Sequence, residues 1–137
     1  MTLSDAIRLG SMLKPQGRGA LHKDGQTCAY GAAMDAIGCL PAEGAECSHD
    51  YDALGDEWPI GNVRAECPVT FLWSEVGDIV TDLNDVYGWS REWIADWVET
   101  IERQHAALES PPAVDAVVTA GELAKRELST RERDSKG

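Results

Sequence analysis

The sequence predicts a mainly α fold: a single small domain with a C-terminal helical hairpin and one short β-hairpin. Three observations predict it. Leu72, Val76, Ile79, Val80, Leu83, Val86 and Tyr87 recur on one face of a helix, and Ile94, Trp97, Val98, Ile101, His105 and Leu108 repeat the pattern. Only Gly88-Trp89 separates the two stripes, so the helices are expected to fold back on each other. Asp24-Gly25 is a two-residue turn signal flanked by short arms. The length of 137 residues suits one modest core. Leu, Ile, Val and Phe make just under a fifth of the chain, which at a net charge of −12 borders on a disordered composition. Five Trp and the clear periodicity argue that most of it folds.

The first helix is expected over Ser4–Leu13. Thr2 or Ser4 caps it, Asp5 suits the positive end of its dipole, and Lys14-Pro15 ends it. Gln16–Gly19 reads as a loop and Ala20–Thr27 as the hairpin. Thr27 then caps a helix over Cys28–Ile37, which Gly38 stops. Residues 39–67 are irregular, rich in Gly and Pro, with one short helix, His49–Leu54, capped by Ser48. Pro68 opens a long helix over Val69–Tyr87, in which Gly77 is a weak point, and Gly88 closes it. Ser90 caps the next helix, which runs to Leu108, with Trp89 and Ile94 at the positions of a hydrophobic staple. Pro111-Pro112 breaks the chain. The domain thus spans residues 1–110, followed by a weak helix or linker over 111–128 and a disordered tail over 129–137.

The charge is uneven. Residues 1–34 carry +2, residues 35–102 carry −14, and residues 103–137 sum to zero. A block of this kind suggests a charged face, with solubility as the plainer account. An acidic chain does not bind a nucleic-acid backbone by bulk charge. No run approaches the roughly 18 apolar residues of a membrane span. MTLSDAIRLG lacks the basic and apolar regions of a signal peptide, so a cytoplasmic, reducing location is expected.

Four cysteines invite a metal reading. Cys28, Cys39, Cys47 and Cys67, with His49, are weak candidates, because no C-x-x-C is present and the only close pair is Cys47-Ser48-His49. Small buried thiols are the plainer account, and no cofactor is expected. A nucleophilic site on Cys47 and His49, with Asp50 orienting the imidazole, asks neighbouring loop residues for a geometry they rarely hold. The chain has no G-x-S-x-G, and Gly17-Arg18-Gly19 lacks the features of a phosphate loop.

The carboxylates are more informative. Glu75, Asp78, Asp82 and Asp85 are spaced to stack along one side of the first hairpin helix. Glu92, Asp96 and Glu99 do the same on the second, with Glu102 beside them. Like charges at these spacings each cost a few tenths of a kcal/mol in a helix, so folding gains nothing from them. Trp93 falls at the edge of its apolar stripe, part-exposed beside these acids, a composition common at binding surfaces. A solvated face and a peripheral core residue are the alternatives.

Two stretches, Gly19–Leu21 through Thr27-Cys28-Ala29-Tyr30-Gly31-Ala32-Ala33, and Leu83-Asn84-Asp85 through Trp89-Ser90-Arg91-Glu92-Trp93-Ile94-Ala95-Asp96-Trp97-Val98-Glu99, carry a resemblance. Together with the opening helix, about half of the chain resembles small uncharacterised proteins of phage and bacterial genomes. The resemblance implies a zinc-like set in those relatives, a C-P-x-C pair and two histidines flanking the L-N-D segment. Here Cys67-Pro68 is kept, whereas Thr70, Asp82 and Tyr87 stand at the matching places, so a lost site is implied. No activity comes with the resemblance, only a hint of mobile-element origin.

These readings converge on a non-enzymatic acidic binding protein. Its partner-binding residues would be Glu75, Asp78, Asp82, Asp85, Glu92, Trp93, Asp96 and Glu99. The expected partner is a basic protein surface, such as a nucleic-acid-binding host or defence protein, with neither nucleic acid nor membrane bound directly. The alternative is a small structural or degenerate zinc-binding accessory domain.

Overall fold

A computed structural model describes residues 1–44 and 52–109. It forms two compact units, Met1–Glu102 and Arg103–Gly137, and Arg103–Glu109 is the described part of the second. Cys47, Ser48 and His49, and everything expected over 111–137, lie outside the described residues.

The described chain is mainly α. Its elements in order are α1 (Leu3–Gly10), β1 (His22–Lys23), β2 (Gln26–Thr27), α2 (Ala29–Ala36), α3 (Asp52–Glu57), a 3-10 turn (Pro59–Asn62), β3 (Arg64–Glu66), β4 (Trp73–Glu75), α4 (Val76–Asp85) and α5 (Arg91–Glu109). Each strand pair is antiparallel and two-stranded.

The N-terminal half follows the sequence reading closely. Thr2 caps α1, its hydroxyl accepting from the Asp5 N–H. The helix ends at Gly10, short of Leu13, because the chain tightens into i→i+3 bonds at Met12 and Leu13. Asp24 and Gly25 both take positive φ, 55° and 73°, as a type I′ hairpin turn requires, and pair His22 with Thr27. The cap of α2 is Cys28, whose Sγ accepts from the Gly31 N–H, rather than Thr27. Thr27 is wholly buried and its hydroxyl serves another partner, Arg91.

Helices α1 and α2 cross at very short range. A Cβ placed on Gly10 would fall 1.7 Å from the Ala32 carbonyl oxygen, so the crossing requires glycine there. Leu3, Ala6 and Ile7 of α1 meet Ala29, Tyr30 and Ala33 of α2 in a single core, which Leu21, Leu54 and Trp58 extend. The Trp58 indole N–H donates to the Met1 carbonyl, so the largest aromatic of the core has its polar edge satisfied.

The middle of the chain departs from expectation. The long helix over Val69–Tyr87 begins only at Val76. Before it, Trp73–Glu75 pairs with Arg64–Glu66 as a β-hairpin, with Arg64 opposite Glu75 and Glu66 opposite Trp73. The Phe71 N–H donates to the Cys67 carbonyl in a single i→i−4 turn, but the Leu72 carbonyl accepts from the Cys67 N–H and the Val76 N–H donates to the Val63 carbonyl, so the bond that would carry a helix from Leu72 to Val76 is not made. Trp73 favours extended backbone on its own account, and the hairpin supplies the pairing that the helical count overlooked. Leu72 is consequently exposed, Val86 and Tyr87 lie in solvent beyond the last residue of α4, and the stripe shrinks to Val76, Ile79, Val80 and Leu83. Ile94, Ala95 and Val98 of α5 join these in the same core, while Trp97 and Ile101 are only half-buried and Leu108 is exposed.

Candidate functional site

Shortening α4 rearranges its acids. Glu75 is not on the helix but ends β4, at the position preceding the first helical turn, and makes no side-chain cap. Asp78, Asp82 and Asp85 remain on consecutive turns of α4. Asp85 is committed to structure: its Oδ1 accepts from the Gly19 N–H at 3.0 Å and from the Asn84 amide at 2.8 Å. Asn84 is itself fully buried, donating to the Gly17 carbonyl and accepting from Gln16. Asp82 is exposed, and partial burial of its carboxyl, followed by the charges of Asp78 and Asp85, raises its pKa above the ordinary aspartate value.

The acids of α5 divide in the same way. Arg8 of α1 reaches both Asp96, at 2.8 Å, and Glu99, and also lies 3.5 Å from Asp5. Its guanidinium is held above its ordinary pKa, chiefly by the hydrogen bond to Asp96. Glu102 accepts from the Ser4 hydroxyl at 2.6 Å and from the Ser4 N–H at 3.2 Å, placing a carboxylate at the positive end of α1. Asp96 and Glu99 thus tie α5 to α1 before any partner arrives. Glu92 is exposed. Trp93 is 64% exposed, its ring edge-on to Trp89 with centroids 5.9 Å apart. An open groove of about 480 Å³ runs between the helices, lined by Asp5, Arg8, Leu9, Met12, Glu92 and Asp96.

The thiols occupy three different settings. Cys28 is buried at the start of α2, Cys39 is exposed, Cys67 is buried just after β3, and none of the three is in a disulfide. Among the described residues no group of three or more His, Cys, Asp or Glu side chains is placed to hold a metal. Cys67 has Thr70 as a close neighbour and feels the charge of Asp82. Burial pushes the Cys67 thiol up, but the Thr70 hydroxyl and the Thr70 and Val69 N–H groups bond to its sulfur and bring it below the usual value. One thiol, one hydroxyl and one carboxylate make a poor set for zinc.

Sequence reasoning missed the feature beside this thiol. Phe71, Leu72 and Trp73 are 68%, 70% and 62% exposed, three large apolar side chains in succession at the head of the β3–β4 hairpin. Phe71 takes φ 62°, a left-handed conformation costing a non-glycine residue roughly 1–2 kcal/mol. The Leu72 N–H donates to the Thr70 hydroxyl, which with the Cys67 contacts fixes the loop. The available signal was Trp73, an aromatic residue lying off the predicted helical stripe.

Comparison of the chain with protein-family models, with curated proteins and with solved structures finds no match.

Proposed function

We propose that the protein is a non-enzymatic acidic binding protein that engages a basic, nucleic-acid-binding protein and inhibits it by occupying the surface that nucleic acid would use. The observation that carries this reading is the placement of the α4 acids: Asp78, Asp82 and Asp85 stand on successive turns and repel one another, and Asp82 is held above its ordinary pKa by partial burial first and by the charges of Asp78 and Asp85 after it. A basic surface set against these carboxylates relieves that repulsion, which stabilises the complex and speeds its formation. Glu92 extends the reading onto α5, where Trp93 supplies an exposed aromatic beside it. Asp85, Asp96 and Glu99 have partners within the fold and contribute field rather than free contacts. The resemblance to small phage and bacterial proteins suits an inhibitor of a host or defence protein.

The test is capture from lysate of the source cells with wild-type protein and with Asp82→Asn/Glu92→Gln, at about 0.1 M and 1 M salt, where the Debye length falls from about 10 Å to 3 Å. The expected result is a basic protein, retained at low salt only, displaced by double-stranded DNA and captured less well by the variant. Capture indifferent to salt, to DNA and to the substitutions would reject the reading.

A further inference from the structure

We infer that the Phe71-Leu72-Trp73 loop is an anchoring finger for a cationic, amphipathic segment of a protein partner, apolar side chains seating against the loop and basic ones against the acids at its base. This rests on the reading of the protein as one that binds a basic partner, and says which surface makes the contact. Two features single out the loop. Three consecutive large apolar side chains stand in solvent at the head of a two-stranded hairpin, a concentration of exposed apolar side chains that a small acidic protein has no folding reason to keep. The backbone is fixed by the Phe71 to Cys67, Cys67 to Leu72 and Leu72 to Thr70 hydrogen bonds, so the finger is presented without a further ordering cost.

The charge around the finger selects the occupant. Glu66 stands opposite Trp73 in the ladder, and Asp82 is close enough to act electrostatically on Cys67 at the hairpin's end. The one cation of the hairpin, Arg64, is exposed, donates to the Trp73 carbonyl and stands opposite Glu75, so Glu66 and Glu75 outnumber it on the ladder. An apolar tip with an acidic base suits a segment that is apolar on one side and basic on the other. It does not suit an anionic bilayer, and a second copy of a chain carrying −12 is repelled at long range.

The experiment measures binding of two labelled peptides by fluorescence anisotropy, at about 50 mM salt where charge is weakly screened. Both are helical, about 18 residues long and equally rich in Lys; one carries Leu at helical i, i+3 and i+4 spacing, the other Ser at the same positions. Wild-type protein is expected to bind the Leu peptide about ten-fold or more tightly than the Ser peptide, the preference that burying one large apolar side chain supplies. Phe71→Ser/Leu72→Ser/Trp73→Ser is expected to reduce that preference to about two-fold or less while still binding the Ser peptide. Phe71→Gly keeps the hairpin and relieves its left-handed residue, so it guards against a loss caused by unfolding; it should melt no lower than wild type yet bind the Leu peptide less tightly. A triple variant that retains the full preference would overturn the finger and leave the acidic reading standing. Failure of wild-type protein to bind either peptide would overturn both. Finger-dependent dimerisation in sedimentation, or finger-dependent pelleting with phosphatidylcholine/phosphatidylglycerol vesicles, without any peptide preference, would give the loop a different occupant and also overturn the proposal.

Discussion

Arg91 places its Nη1 2.8 Å from the hydroxyl of Thr27, a residue 64 positions earlier in the chain, and the same guanidinium donates to the carbonyls of Thr27, Ser11 and Lys14. It is 6% exposed. Burial draws its pKa down from the ordinary arginine value, so its charge is held by these oxygens rather than by water. The first residue of α5 thereby fastens the turn after α1 and the strand before α2 to one point. Arg91→Ala, which strands buried acceptors as well as removing the side chain, is expected to destabilise by about 3 kcal/mol or more in urea titrations. Arg91→Lys should recover only part of that, because an ammonium cannot reach four oxygens in a planar fork. A loss within about 0.5 kcal/mol for the alanine variant would show the network to be incidental.

The crossing of α1 and α2 gives a second expectation. Gly10→Ala drives a Cβ into the Ala32 carbonyl, backbone against backbone, and neither side can give way without moving a helix. The expected loss is about 3 kcal/mol, at the upper end for overpacking, although alanine normally improves a helix by about 1 kcal/mol over glycine. A gain in melting temperature would contradict the close crossing.

Core aromatics should separate by burial. Trp58 is 3% exposed and bonded to Met1. Its replacement by Ala should cost about 3–5 kcal/mol. Trp97, which the helical stripe counts as a core residue, is only half-buried, so Trp97→Ala should cost about 1–2 kcal/mol. Equal losses in denaturant titration would place Trp97 in the core after all.

Asp82 carries a pH dependence of known sign. Its folded pKa is raised, so the folded state binds its proton more tightly than the unfolded chain does. This carboxylate therefore opposes folding when ionised, and that penalty is relieved as pH falls through the raised folded value and is gone below the ordinary value. Asp82→Asn should raise stability at pH 7 by a few tenths of a kcal/mol, and the gain should shrink on acidification across that window. Calorimetry at several pH values checks this, and a variant less stable than wild type at pH 7 would reverse the sign.

The sequence by itself determined the elements whose signals are local. Thr2 and Ser90 sit one residue before their helices and cap them through side chains. Asp24-Gly25 turns the first hairpin, and Val76, Ile79, Val80, Leu83, Ile94 and Val98 reach the core as their spacing required. Tertiary structure decided what depends on distant partners. Helical periodicity extends through Leu72, yet pairing of Trp73–Glu75 with Arg64–Glu66 takes that stretch as strand and leaves Leu72 in solvent. Spacing likewise ranks Asp82, Asp85, Glu92 and Asp96 as equivalent solvent-facing acids. Only the fold sets Arg8 against Asp96 and the Gly19 amide against Asp85, leaving Asp82 and Glu92 exposed. A helical repeat reports which side of an element faces inward; it carries no information about which residue will stand opposite, whether across a short hairpin, as Glu66 faces Trp73, or 66 and 88 positions away, as Asp85 meets the Gly19 amide and Asp96 meets Arg8.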